Sequence, residues 1–102
     1  MLISEIKEVL PEIKIIILEP FVLKAAATEG KWDFFSTEVP KRAAAAKRIA
    51  EEFSLPFVAL QEGFDELEKT APANYWLVDG VHPSAMGHQY IKNQWIKAFR
   101  AL

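Results

Sequence analysis

Only two segments of this chain read as buried strands, residues 14–18 (KIIIL) and 57–60 (FVAL), and that scarcity limits the folds open to it. Helical patterns surround both. Leu2, Ile3, Ile6 and Leu10 recur at helical spacing before the first, and Pro11 ends that helix. Between the strands, residues 39–53 form an alanine-rich helix with Ala46, Ile49, Ala50 and Phe53 on one face. Lys41, Arg42, Lys47 and Arg48 make its other side a solvated face. A brief helix over residues 63–70 turns Phe64 and Leu67 inward, and residues 71–81 are irregular. Ser84 caps a last helix reaching Phe99, with Tyr90, Ile91, Trp95 and Phe99 as a packing stripe. Strand, helix, strand in this order argues for parallel, adjacent strands joined by a right-handed crossover, with helices on both faces. Two strands do not make a stable open sheet. The chain is therefore expected to be a single, partial α/β domain.

Composition removes several function classes. The net charge is -2 with no run of like charges, so neither a nucleic-acid footprint nor a polybasic membrane anchor is expected. With no cysteine, disulfides, thiolate metal sites and a cysteine nucleophile are excluded. The longest apolar run, Ile15-Ile16-Ile17-Leu18, is too short to span a bilayer. The opening Met1-Leu2-Ile3-Ser4-Glu5 lacks a basic stretch before a long apolar one, so the expected location is cytoplasmic.

Chemistry is concentrated in Asp79-Gly80-Val81-His82-Pro83-Ser84-Ala85-Met86-Gly87-His88. An Asp three residues before a His can set its carboxylate against one imidazole nitrogen, fixing the tautomer and stabilising the imidazolium. Gly80 permits the tight turn between them, and Pro83 delays the helix that Ser84 begins. On spacing alone, such a pair at a loop–helix junction is more often a cap or a surface contact. His88 lies one turn into the last helix, where a local hydrogen bond is its expected role. A metal site of Asp79, His82 and His88 is the competing reading. Residues 21–37 show no clean period, and a loop of that length is usually functional or partly helical. Within it, Trp32, Phe34 and Phe35 are expected in the core, with an acyl or sugar pocket as the alternative.

Asp-x-x-His-Pro followed by a small residue and Gly-His resembles the C-terminal block of the SGNH (GDSL-type) serine esterases. The resemblance extends to Leu18-Glu19-Pro20-Phe21 after the first strand and to Leu60-Gln61 after the second. It implies the C-terminal half of a flavodoxin-like, three-layer αβα fold. It also implies that Asp79 is the acid and His82 the general base of a Ser-His-Asp triad acting on a carboxylic ester, with no cofactor or metal. The family's Gly-Asp-Ser nucleophile block and its Gly-x-Asn-Asp oxyanion block have no counterpart here. Ser4, Ser36, Ser54 and Ser84 lack the first context, and Asn74 and Asn93 the second. Half a triad is expected to be inactive alone. The expected partners are an ester substrate in the intact parent, and either a second copy or the absent N-terminal half. A non-catalytic, self-associating module and a metal-binding α/β module are the alternative functions.

Overall fold

The structure, a computed structural model, describes residues 2–102. Helix α1 (Leu2–Val9) leads into strand β1 (Ile17–Leu18), and a 3-10 turn (Glu29–Lys31) opens α2 (Trp32–Glu52). Strand β2 (Phe57–Val58), α3 (Gln61–Glu68), α4 (Ala73–Trp76) and α5 (Ala85–Arg100) follow. The strands are adjacent and parallel, with Ile17 opposite Phe57 and Leu18 opposite Val58. Helix α2 packs on β1 and α5 on β2. The parallel α/β arrangement expected from the element order is present.

Three elements differ from expectation. The first strand is shorter than residues 14–18, because only Ile17 and Leu18 find a ladder partner. Helix α2 begins seven residues before position 39 and carries Pro40 inside it. Proline costs a helix one backbone hydrogen bond, and α2 continues through that loss. Trp95 and Phe99, expected to pack into the core, instead stack on each other at 5.2 Å on the exposed side of α5.

The core lies at the C-terminal ends of the strands, directly beneath the residues of chemical interest. Leu23, Val58, Leu60, Phe64, Trp76 and Leu77 are its buried members. Phe64 is gripped between Phe21 and Tyr90, each with ring centroids 4.8 Å away. The Trp76 indole N–H is satisfied by the carbonyls of Leu67 (3.1 Å) and Ala71 (3.3 Å). Burial raises the Tyr90 phenol pKa, and the negative charges of Glu19 and Glu62 add to the effect.

Two side chains far away in sequence stitch the segment after β1 to α3. Helix α3 has no side-chain cap of its own. The Glu19 carboxylate supplies one, accepting from the N–H groups of Leu60 (2.8 Å) and Gln61 (2.7 Å). A negative charge at a helix N-terminus is favourable on dipole grounds as well. Gln61 returns the contact: its amide accepts from Val22 N–H and donates to Val22 C=O, both at 2.8 Å.

The molecule is thin, measuring 42 × 28 × 18 Å. Its radius of gyration is 15.0 Å, against about 12.8 Å for a compact domain of this length. Its exposed surface is 6848 Å², against roughly 5,800 Å² for a closed monomer of this mass. Among the described residues no helix is long and apolar enough to cross a membrane.

Replacing Glu19 by Ala strips the N-terminus of α3 of both accepted hydrogen bonds. A loss of about 1–2 kcal/mol is expected, of the size measured for other helix caps. The midpoint of urea denaturation checks it, and Glu19→Gln should fall between the two.

Candidate active site

The segment from Trp76 to Ser84 folds back on itself. Leu77 and Pro83 face each other in an isolated antiparallel bridge. Val78 N–H donates to His82 C=O (2.8 Å), and Ser84 N–H to Trp76 C=O (2.9 Å). Residues 79–82 are thereby closed into a short turn that protrudes from the core. Ser84 ends the turn and starts α5: its hydroxyl oxygen accepts from Gly87 N–H (3.1 Å) and donates to Tyr75 C=O (2.5 Å). The expected cap is thus in place. It also commits the serine nearest to His82 to the backbone.

The underside of the turn rests on the segment after β1. Leu23 N–H donates to Gly80 C=O and Ala27 N–H to Asp79 C=O, both at 2.9 Å. Gly80 has a φ of +104°, a region that side-chain-bearing residues rarely enter. A Cβ there would also come within 2.5 Å of both Leu23 C=O and the Thr28 hydroxyl. Thr28 is wholly buried; its hydroxyl donates to Leu23 C=O (2.6 Å) and accepts from Ala25 N–H (2.9 Å). Its supporting role was invisible in the sequence, where it is one threonine in an aperiodic stretch.

The Asp79 carboxylate makes three contacts. Oδ1 accepts from the backbone N–H groups of His82 (2.8 Å) and Val81 (3.0 Å), and Oδ2 lies 2.7 Å from His82 Nδ1. The carboxyl pKa is lowered from 3.8 to about 2. The His82 N–H is the largest cause, then the Val81 N–H, then the His82 ring. An ionised carboxylate can only accept, so Nδ1 carries the proton and Nε2 is left as the acceptor. The His82 side chain is 80% exposed, and Nε2 faces outward without a protein partner among the described residues. The pair expected from the sequence is therefore in contact, with the outer nitrogen able to take a proton.

Other candidates separate from this pair. His88 is exposed, and its ring makes no hydrogen bond among the described residues, contrary to the local bond expected of it. No group of three or more His, Cys, Asp or Glu side chains is arranged for a metal ion among those residues. Phe34, expected in the core, is 55% exposed and meets Phe35 edge to face. Trp32 is half-buried and lines a cavity of about 260 Å³ with Leu23, Ser36 and Asp65.

No protein-family model matches the sequence, and no curated protein matches it. A solved structure does. The crystal structure of a "putative GDSL-like lipase" from Parabacteroides merdae ATCC 43184 superposes with a TM-score of 0.84 at 39% identity. The match covers 95% of this chain and 44% of that one.

Because the native carboxyl pKa lies below its unfolded value, Asp79 stabilises the fold above pH 4. That contribution disappears as pH falls from about 4 to about 2. Carbon-detected NMR titration should give a native Asp79 pKa near 2. In His82→Ala the two backbone donors remain, so the pKa should stay below 3.8 while rising somewhat. A return to the full unfolded value in that variant would show that the ring, not the backbone, sets it.

Proposed function

Since this chain is related to the GDSL-type lipases over 95% of its length, we propose that it supplies the acid–base part of a carboxylic-ester hydrolase. Asp79 and His82 are two members of a Ser-His-Asp triad. The serine nucleophile and the oxyanion donors come from polypeptide outside these 102 residues. The observation that carries this reading is the 2.7 Å contact between Asp79 Oδ2 and His82 Nδ1, which leaves Nε2 outward as a base. The thin shape and the large surface fit a part of a three-layer αβα domain.

In the assembled enzyme, His82 Nε2 takes the proton from the serine hydroxyl as its oxygen attacks the ester carbonyl. Asp79 stays ionised and stabilises the imidazolium that results. When the tetrahedral intermediate collapses, Nε2 returns the proton to the departing alcohol, leaving an acyl-serine. Water then repeats the sequence: His82 removes its proton, the carboxylic acid leaves, and serine regains its hydrogen. No metal or organic cofactor enters these steps.

The test compares the chain alone with the chain mixed with the part of the Parabacteroides merdae protein that has no counterpart here. Alone, hydrolysis of an activated acetate ester should not exceed that of a His82→Ala control. With that part added, activity should appear and fall by roughly 10⁴-fold in Asp79→Asn, the cost of the wrong imidazole tautomer. Turnover by the chain alone, lost in His82→Ala and accompanied by an acyl-serine in the mass spectrum, would refute the reading.

A further inference from the structure

Gln61 opens α3, and its amide is fully engaged by its surroundings. Oε1 accepts from Val22 N–H (2.8 Å), while Nε2 donates to Val22 C=O (2.8 Å) and to Asp65 Oδ1 (2.9 Å). Two acceptors at one end and a donor at the other admit a single orientation of the amide. Helix α3 is itself fixed at that end. The Glu19 carboxylate holds the N–H groups of Leu60 and Gln61, and Phe64, one turn further on, is wholly buried.

The Val22 carbonyl belongs to the same peptide unit as the Leu23 N–H. A trans peptide is planar, with its C=O and N–H pointing opposite ways, so fixing one fixes the other. On one side this unit bonds to Gln61 Nε2, and on the other Leu23 N–H donates to Gly80 C=O at 2.9 Å. The glutamine thus aims a backbone donor at the turn that carries Asp79 and His82. Thr28 secures the next peptide unit by donating to Leu23 C=O. Val22 and Leu23 are 4% and 2% exposed, which leaves little room for water to take over these bonds.

We propose that Gln61 is a positioning residue for the Asp79–His82 pair, setting through the Val22–Leu23 peptide where the turn stands on the core. The proposal rests on the triad reading of that pair. The pair's internal geometry does not need Gln61, because Asp79 takes its hydrogen bonds from Val81 and His82 inside the turn. What Gln61 sets is the height and direction at which His82 Nε2 is offered to a serine carried by other polypeptide. A misplacement of about 1 Å at such a site can cost on the order of 10²-fold in rate.

Gln61→Glu is the sharpest probe. Its carboxylate still accepts from Val22 N–H but has no hydrogen to give to Val22 C=O or Asp65. In the chain alone, hydrogen exchange at the Leu23 amide should quicken roughly tenfold, the protection of about one hydrogen bond. Exchange at the Leu60 amide, which Glu19 holds, should not change, and His82 should keep a protonated Nδ1. In the mixture with the Parabacteroides merdae part, kcat per acylatable serine should fall by about tenfold or more at unchanged KM. Gln61→Met, which adds no charge, carries the same comparison if circular dichroism shows Gln61→Glu unfolded. Faster exchange at Leu23 and Leu60 alike, an unaltered Leu23 rate, wild-type kcat despite a released Leu23 amide, or both variants unfolded would assign Gln61 to the fold alone and overturn the proposal. A wild-type mixture without activity would count against the triad reading instead, and the exchange rates would still decide what Gln61 does to the turn.

Discussion

Leu23 and Ala27 donate their N–H groups to the carbonyls of Gly80 and Asp79, and the placement of the site depends on those two bonds. They fasten a turn late in the chain to the segment that leaves β1. Glu19 and Gln61 hold that same segment against the start of α3. The buried Thr28 hydroxyl fixes its curvature, and Gly80 alone allows the turn to approach so closely. Beneath lie Leu23, Leu60, Phe64, Trp76 and Leu77, so the Asp79–His82 turn sits on the most completely buried part of the molecule.

Support from below and exposure above divide the work at Asp79. Its carboxylate spends one oxygen on backbone N–H groups and the other on His82. The two backbone donors are the largest causes of its lowered pKa, so it stays ionised chiefly through them and not through the ring. A carboxylate held in this way can stabilise an imidazolium without taking its proton. The same geometry makes the turn a finished piece, assembled by this chain's own residues.

Local signals were legible in the sequence, and long-range ones were not. The three-residue spacing of Asp79 and His82, the glycine between them and the Ser84 cap all act within a few residues. The parallel strands followed from the order of elements. By contrast, Glu19 meets Leu60 and Gln61 across more than forty positions, and only the folded chain reveals that a charged residue after a strand caps a distant helix. Helix α2 starts at Trp32, before the alanine-rich stretch, and carries Pro40 in its third turn, although proline more often opens a helix. Tyr90 and Ile91 of the α5 stripe pack against the core, yet Trp95 and Phe99, with the same core-like spacing, stay 40% and 54% exposed. Periodicity tells which residues share a face, not whether that face finds a partner.

The central claim is that Asp79 holds the His82 ring with Nδ1 protonated and Nε2 free. Nitrogen-15 NMR of the histidine rings reads this directly at a pH where the imidazole is neutral. His82 should show a protonated Nδ1 and an unprotonated Nε2, and Asp79→Asn should abolish that preference. A neutral His82 protonated mainly at Nε2 in the wild type would contradict the claim.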